Sequence, residues 1–370
     1  MTQTKVEAPF VQNNANFRNF LINGDMNIWQ RATAATAVSD GSYPACDRWH
    51  FPFYSTDGAM TSERETLSVA DQATTGMYYC NLLKCTTADT SVATNSIVQM
   101  RQTIEAQNCQ PFKYGTSGAK TLTLSFYAKA NASKTYGVSL WKRDSTSYYW
   151  FQDIAVTTDW KKFEIVISPT AGSTSLITSS GAAIANDNGE GLEVSFVLAS
   201  GSNYQATADT WTANQDFNTS NLDNFLSSTD NTFRVTGVQL EIGDAATDFE
   251  HLPNDVQFHR CCRYFYRIGE GNNVKIAGGA AYTANQMYFP VFLPNVLRAA
   301  GTIGGVGGTN YFTFYANNAA DVFDEVTLWE TRDNLAYLRS TAGTIGSTAG
   351  HGGMVILSHA NAMLEISAEL

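Results

Sequence analysis

The sequence predicts an all-β protein made of two antiparallel sandwiches. Three observations support this: few charged residues, many aromatic residues, and several segments in which apolar and polar residues alternate. Of the 370 residues, 15% are charged, and there are 17 Tyr, 21 Phe and 7 Trp. An ordinary soluble domain is roughly 25% charged. Aromatic residues and Thr suit half-buried strands, whereas Lys, Glu and Arg favour exposed helix faces.

The length and texture of the chain predict four parts. Residues 1–16 are polar and lack periodicity, so they indicate an N-terminal arm that is either a frayed end or a tether to a partner. Residues 17–252 predict a large antiparallel β-sandwich of the jelly-roll type. Residues 253–268 are expected to form a linker, and residues 269–370 a smaller C-terminal β-sandwich.

Alternation defines the strands of the large sandwich. Between 134 and 142, Tyr136, Val138 and Leu140 share one face, while Trp141 points the other way. The other strands predicted here cover residues 121–128, 148–151, 160–167, 192–199 and 234–242.

A polar segment of about thirty residues interrupts this pattern. Residues 201–231 are dominated by Asn, Asp, Thr, Ser and Gln, with Trp211, Phe217 and Phe225 scattered among them. We expect a surface excursion that these three rings pin to the sandwich.

The remaining chain predicts one helix and several short strands. Residues 253–267 form the only short helix that the sequence suggests, with Asp255 as its cap. Residues 277–279 and 301–308 are rich in glycine and are expected to be loops. The short strands predicted for the second sandwich are residues 288–293, 311–315, 326–329, 354–357 and 363–366.

Charge and hydropathy exclude several classes of partner. With 23 basic against 34 acidic residues, the net charge is −11, which disfavours nucleic acid and anionic membranes. No apolar stretch approaches the roughly 20 residues that span a bilayer, so no membrane insertion is expected. The first residues do not resemble a secretory signal peptide. The six cysteines are expected to be reduced and mostly buried.

The sequence offers no catalytic constellation, and no enzyme is predicted. No nucleophile elbow, phosphate loop or metalloprotease motif is present, and the five histidines lack metal-ligand spacing. No cofactor is expected. A structural calcium ion is a weak alternative at Asp187, Asn188 and Glu190, where a polar turn is the commoner explanation.

Aromatic residues around one hairpin suggest a binding surface. Tyr136, Trp141, Tyr148 and Trp150 are the residues we single out as a speculative carbohydrate site, because flat rings beside short polar groups suit sugar faces. The alternative is that these rings are covered by residues 201–231, by the second sandwich or by another subunit.

Several segments match a known pattern. They are NFLINGDMNIWQR (residues 19–31), ACDRW (45–49), FRVTGVQLEIG (233–243), ATDFEH (246–251), CRYFY (262–266) and LEISAEL (364–370). They resemble a family of tailed-bacteriophage virion proteins of the tail-fibre or receptor-binding type. The segments LSFYAKA (124–130) and DWKKF (159–163) are similar to a carbohydrate-binding-module jelly roll. The physical pattern indicates that the motif residues determine the fold and do not contact a ligand.

This resemblance implies a homotrimeric appendage on the virion, on the tail or the capsid surface, assembled in the host cytoplasm. It would attach to other virion proteins through the N-terminal arm, with Val6, Pro9, Phe10 and Val11 as attachment residues. It would bind host surface polysaccharide without cutting it. The alternatives are a capsid-mounted fibre or decoration protein that contacts only virion proteins and, least favoured, a glycan depolymerase.

Overall fold

The computed structural model describes residues 17–340 and 345–370. The chain divides into two compact units, the first ending at Pro253 and the second running from Asn254 to Leu370. Both units are all-β, as the sequence predicts. No helix among the described residues is both long and apolar enough to cross a bilayer. The arm, with its attachment residues Val6, Pro9, Phe10 and Val11, lies outside the described residues.

The first unit contains eleven strands and one α-helix among its described residues. They are β1 (Thr36–Ala37), β2 (Phe53–Tyr54), β3 (Ala59–Thr66), α1 (Val69–Thr75), β4 (Tyr79–Thr87), β5 (Ile97–Glu105), β6 (Leu122–Ala130), β7 (Lys134–Lys142), β8 (Tyr148–Val156), β9 (Lys161–Ile167), β10 (Glu190–Ser200) and β11 (Thr232–Ile242). Short 3₁₀ turns lie at Ala106–Phe112, Ala171–Ser173, Ser180–Ala182, Ser202–Tyr204 and Phe225–Ser227.

These strands form a jelly-roll-like sandwich of two antiparallel sheets. One sheet has the order β1-β3-β4-β11-β6-β9, and the other has the order β2-β5-β10-β7-β8. Alternate residues of both sheets fill one core, in which Trp49, Phe126 and Phe196 are completely buried. Trp29 and Trp49, from two of the segments that carry the family resemblance, are also buried in this core. Trp211, Phe217 and Phe225 are also buried, which confirms that they pin the polar excursion.

The segments that carry the family resemblance form the framework of this unit. The Asn23 side chain accepts hydrogen bonds from the backbone N–H groups of Asn27 and Ile28, both at 2.8 Å, and donates to the Asp47 carbonyl at 3.0 Å. A Cβ on Gly24 would lie 2.0 Å from the Val238 carbonyl oxygen, so this position requires glycine. These contacts agree with the expectation that the motif determines the fold.

The second half of the motif secures the start of the described chain. The Glu250 carboxylate accepts the backbone N–H groups of Arg18 and Asn19, at 3.2 and 3.0 Å. The Glu250 N–H in turn donates to Gln239 Oε1 at 2.8 Å. Gly237 has a φ of +63° and lies in a register shift of β11, where the strand forms a bulge.

Two helix predictions differ from the structure. The sequence pattern did not predict helix α1, which is only seven residues long. The Ser68 side chain accepts a hydrogen bond from the Asp71 N–H at its start, and Gly76 ends the helix with a φ of +74°. The predicted linker helix begins at Asn254, so Asp255 lies in its first turn instead of capping it.

The second unit contains one α-helix and ten strands among its described residues. They are α2 (Asn254–Cys262), β12 (Phe265–Glu270), β13 (Val274–Thr283), β14 (Gln286–Phe292), β15 (Thr302–Val306), β16 (Phe312–Ala316), β17 (Ala319–Phe323), β18 (Val326–Arg332), β19 (Leu335–Ser340), β20 (Gly352–Leu357) and β21 (Met363–Ser367). One sheet has the order β12-β21-β15 and the other β17-β16-β20-β13-β14-β19-β18.

Two expectations for this unit are corrected. Residues 253–268 are not a separate linker, because α2 belongs to the second unit and β12 pairs with β21. Residues 277–279 lie in strand β13 and residues 302–306 form strand β15, so these parts of the glycine-rich stretches are not loops, whereas Gly301, Gly307 and Gly308 lie outside the strands. The glycines within the strands admit close backbone approach: a Cβ on Gly279 would lie 2.7 Å from the Tyr288 carbonyl oxygen, and one on Gly305 would lie 2.2 Å from that of Met363.

All six cysteines lie among the described residues. They are buried, and no disulfide joins them.

Candidate functional site

A cleft of about 320 Å³ lies on the outer face of the five-stranded sheet. Its floor and walls come from strands β2, β5, β7, β8 and β10, together with loop residues on either side. The residues that line it are Asp40, Gly41, His50, Pro52, Tyr54, Ile97, Gln99, Arg101, Ser139, Trp141, Arg143, Tyr149, Glu193, Gln215 and Phe217.

Strand register assembles this floor from residues far apart in the sequence. Trp141 on β7 pairs with Tyr149 on β8 and with Glu193 on β10. Two residues further along β10, Ser195 pairs with Ser139 on one side and with Arg101 on the other. Because side chains alternate along a strand, the paired residues all project to the same outer face.

Glu193 is the centre of the polar floor. Its side chain is only 2% exposed, and it forms ion pairs with Arg143 at 2.7 Å and with Arg101 at 3.3 Å. The hydroxyls of Thr103 and Ser195 donate to the same carboxylate, at 3.3 and 3.2 Å. This buried charge is therefore neutralised and held in one orientation.

An aromatic wall stands beside that floor. The rings of Trp141 and Tyr149 stack with centroids 5.1 Å apart and planes inclined by 27°. The Arg143 guanidinium lies 3.8 Å from the centroid of the Trp141 ring, and Trp141 Nε1 donates to Ser147 Oγ at 3.0 Å. Since Arg143 also binds Glu190 at 2.8 Å, both the ring and the guanidinium are fixed before any ligand arrives.

His50 contributes a neutral ring to the opposite side. Arg101 Nε donates to its Nδ1 at 2.9 Å, so the neutral ring carries its proton on Nε2. Burial and the neighbouring Arg101 guanidinium lower the pKa of His50 to about 4. The cleft therefore does not gain a histidine charge near neutral pH.

The polar excursion closes one end of the cleft. Phe217 stacks on Tyr204 with centroids 4.6 Å apart and packs with Ile97 and Val197 on the outer face. The backbone of Thr212 exchanges two hydrogen bonds of 2.9 Å with that of Tyr149. The excursion thus covers part of the sheet and leaves the Trp141 side open.

The structure corrects three of the four aromatic residues singled out from sequence. Tyr136, Tyr148 and Trp150 project into the sandwich core and are not available to stack on a ligand. The reason is alternation: these residues share the face of Val138 and Leu140. Trp141 points outward and lines the cleft.

The sequence reasoning missed most of the cleft. The same alternation could have found Tyr149, the hairpin partner of Trp141. His50, Arg101 and Glu193 carry no local signal, because the β5–β10 pairing brings Arg101 to Glu193 and an isolated backbone bridge brings His50 to Arg101.

The weak calcium alternative finds no geometric support. Asp187 Oδ1 accepts the Gly189 N–H at 2.8 Å in a polar turn, and Glu190 pairs with Arg143; Asn188 lies between them in sequence. Within residues 17–340 and 345–370, no three or more His, Cys, Asp or Glu side chains are grouped to hold a metal ion.

Comparison with known proteins gives distant structural likeness only. No family model matches the chain, and no curated protein matches it. Among solved structures, a CBM4 protein is similar at 15% identity and a TM-score of 0.28, covering 60% of this chain and 98% of the other. A family 11 carbohydrate-binding module of a cellulosomal cellulase from Clostridium thermocellum is similar at 13% identity and a TM-score of 0.28, covering 60% and 99%.

A phage protein also resembles this chain. The enzymatically active domain of tailspike protein 4 from Bacteriophage CBA120 is similar at 12% identity and a TM-score of 0.29, covering 62% of this chain and 22% of the other. At such TM-scores these likenesses carry no argument about the function of this chain.

Proposed function

We propose that the cleft on the five-stranded sheet binds a saccharide without cleaving it. The observation that carries the proposal is the pairing of a fixed, partly exposed ring, Trp141, backed by the buried Tyr149, with a fixed polar floor around Glu193. Sugars present C–H faces that pack on aromatic rings and hydroxyls that need directed hydrogen-bond partners. Gln99, Ser139 and Gln215 line the same cleft and supply such partners.

The carboxylates of the cleft favour binding over hydrolysis. Glycosidases use two carboxyl groups, one of them a proton donor, on either side of the scissile bond. Among the described lining residues, the carboxylates are Asp40 and Glu193. Glu193 is held by two guanidinium groups, and Asp40 Oδ1 accepts the Phe53 N–H at 3.0 Å. The ion pairs keep Glu193 as a carboxylate, so it is not placed to donate a proton to a glycosidic oxygen.

The test is binding of the full chain to a panel of bacterial capsule and O-antigen oligosaccharides, with Trp141→Ala as the probe. We expect roughly tenfold weaker binding, since a stacked ring contributes about 0.5–1.5 kcal/mol beyond its area. Trp160→Ala is the matched control, because Trp160 packs with Leu67, Met77 and Cys80 outside the cleft.

Three results would contradict the proposal. The first is equal loss of binding in the Trp141 and Trp160 variants. The second is binding to no oligosaccharide of the panel. The third is release of new reducing ends by the wild-type chain, which would favour a depolymerase.

We also propose that the protein is a homotrimeric appendage of a tailed phage virion, attached through residues 1–16. Support comes from the resemblance of residues 19–31 and 233–251 to phage virion proteins. Labelled antibody on intact particles tests whether the protein is part of the virion and distinguishes the tail from the capsid.

Deletion of residues 1–16 should abolish incorporation of the protein into particles while leaving a folded protein. Unchanged incorporation would refute attachment by this arm.

A further inference from the structure

The outer face of the seven-stranded sheet in the second unit carries large apolar side chains. On β14, Met287, Phe289 and Val291 project into the core, so Tyr288 and Phe292 project outward. Neighbouring strands of the sheet also carry outward apolar side chains. The large apolar residues on this outer face include Tyr282, Tyr288, Phe292, Tyr315, Trp329 and Met354.

Three of these rings form a continuous row. Tyr282 and Tyr288 have centroids 5.3 Å apart, and Tyr288 and Trp329 have centroids 5.0 Å apart, both in edge-to-face geometry. The row runs from β13 over β14 and then across β19 to β18. Edge-to-face rings offer no common flat platform for a sugar, which distinguishes them from the stacked pair in the cleft.

The exposed apolar area is comparable with the largest patch on a typical monomer, about 300–600 Å², and such patches are often functional. Tyr282 and Phe292 are each 73% exposed, Trp329 is 56% exposed and Tyr315 is 46% exposed. At roughly 150–250 Å² per large aromatic side chain, these four expose on the order of 500 Å². A standard interface buries about 800 Å² on each partner, so four side chains provide more than half of one partner's share.

Another sheet of this chain shows what a solvated face looks like. The outer face of the six-stranded sheet carries the ion pairs Lys84–Glu63, Arg234–Glu65 and Lys162–Glu164, at 2.5 to 2.6 Å. On the seven-stranded sheet one ion pair lies on the outer face, Arg332–Glu330 at 3.2 Å on the edge strand β18, and Arg339 donates from Nε to Thr327 Oγ1 at 3.3 Å beside Tyr288. Ion pairs therefore extend over one outer face, whereas the other has one ion pair at its edge beside several exposed aromatic side chains.

We propose that this apolar face is the interface between copies of this chain. The inference deepens the proposed function, because it rests on the oligomeric appendage and names the surface that makes the oligomer. Seven strands about 4.8 Å apart give a face roughly 30 Å across, which three copies can bury by turning it toward a common three-fold axis. An exposed apolar area of this size favours neighbouring copies of the chain over a short segment of chain.

The test is sedimentation velocity of the full chain with matched charged substitutions. The wild-type protein should sediment as a multiple of its 40.3 kDa subunit. The double variant Tyr282→Glu, Trp329→Glu should associate at least tenfold more weakly, because charges would be buried in the interface. Tyr78→Glu is the control, because Tyr78 is 56% exposed, as Trp329 is, but lies in the first unit. The Tyr78→Glu variant should associate as strongly as the wild-type protein.

Three results would overturn the interface: a monomeric wild-type chain at tens of micromolar, an oligomer that the double variant leaves intact, or loss of the oligomer on deletion of residues 1–16 alone. Circular dichroism checks the fold of the double variant. If that variant unfolds, Phe292→Ser replaces it, and unchanged association would then refute the interface.

Oligosaccharide binding separates this proposal from the cleft. The double variant should keep the per-subunit affinity of the wild-type chain, since Trp141 and Tyr149 are unaltered. Absence of saccharide binding in both proteins, with association lost only in the double variant, would contradict the cleft and support the interface.

Discussion

The outer faces of the five-stranded and seven-stranded sheets both carry aromatic rings, but different groups surround those rings. In the cleft, Trp141 stacks on Tyr149 and contacts the Arg143 guanidinium, next to a buried carboxylate. On the second unit, Tyr282, Tyr288 and Trp329 meet edge to face and remain widely exposed. One face is polar and preorganised, whereas the other is apolar and open.

This difference separates two uses of aromatic residues. A ring fixed among hydrogen-bonding groups can recognise a hydrated, hydroxyl-rich ligand with little loss of side-chain entropy. A ring among other apolar groups gains most by being removed from water altogether. We therefore assign ligand recognition to the first face and association to the second.

The largest effect is expected from Glu193→Gln, which removes the charge that holds the cleft together. The Arg101 and Arg143 guanidiniums would then lie close together, with only Glu190 as a partner for Arg143. Loss of one member of a buried ion pair costs about 3–5 kcal/mol, and partial exposure of both arginines reduces this to about 2–3 kcal/mol in the free energy of unfolding. Urea denaturation measures it.

Glu65→Gln provides the control for this prediction. Glu65 pairs with Arg234 at 2.5 Å, but its side chain is 32% exposed. We expect at most about 1 kcal/mol of destabilisation. Equal losses in the two variants would refute the view that the cleft network is the more strongly buried of the two.

A smaller effect is expected from pH, through His50. Its folded pKa of about 4 lies below the ordinary value of 6.5, so only the unfolded chain takes up this proton as the pH falls from 6.5 to 4. The contribution of His50 to the free energy of unfolding is therefore full above pH 6.5 and is lost as the pH falls from 6.5 to 4. We expect a loss of about 1–2 kcal/mol between pH 7.5 and pH 5.

The measurement is the difference between the wild-type protein and His50→Gln at the two pH values. The variant should lack this part of the pH dependence, because glutamine does not titrate. An identical pH profile in the two proteins would show that His50 is not held neutral by its surroundings.

Local sequence patterns predicted the fold well in the first unit. Alternation places Val138 and Leu140 inside and Trp141 outside, because a half-buried strand imposes a period of two. In the second unit, glycines that admit close strand packing at Gly279 and Gly305 resembled loop residues. A glycine that allows backbone contact and one that allows a turn look alike in a sequence.

The cleft was harder to predict, because it depends on strand order. Trp141 and Tyr149 share a hairpin, so local reasoning can pair them. Arg101 and Glu193 meet only because β5 and β10 are neighbours in the sheet, and His50 joins them through an isolated backbone bridge to Arg101. Tyr136 and Trp150 were predicted as site residues because they are aromatic and lie near one hairpin, but both rings are buried in the core.

The indole N–H signals of the seven tryptophans provide the most direct test of the cleft as a saccharide site. On titration of the full chain with the tightest-binding oligosaccharide of the panel, the account predicts that the Trp141 signal shifts while those of the buried Trp150 and Trp211 stay in place. A shift of the Trp329 signal with Trp141 unmoved would contradict the account and move recognition to the second unit.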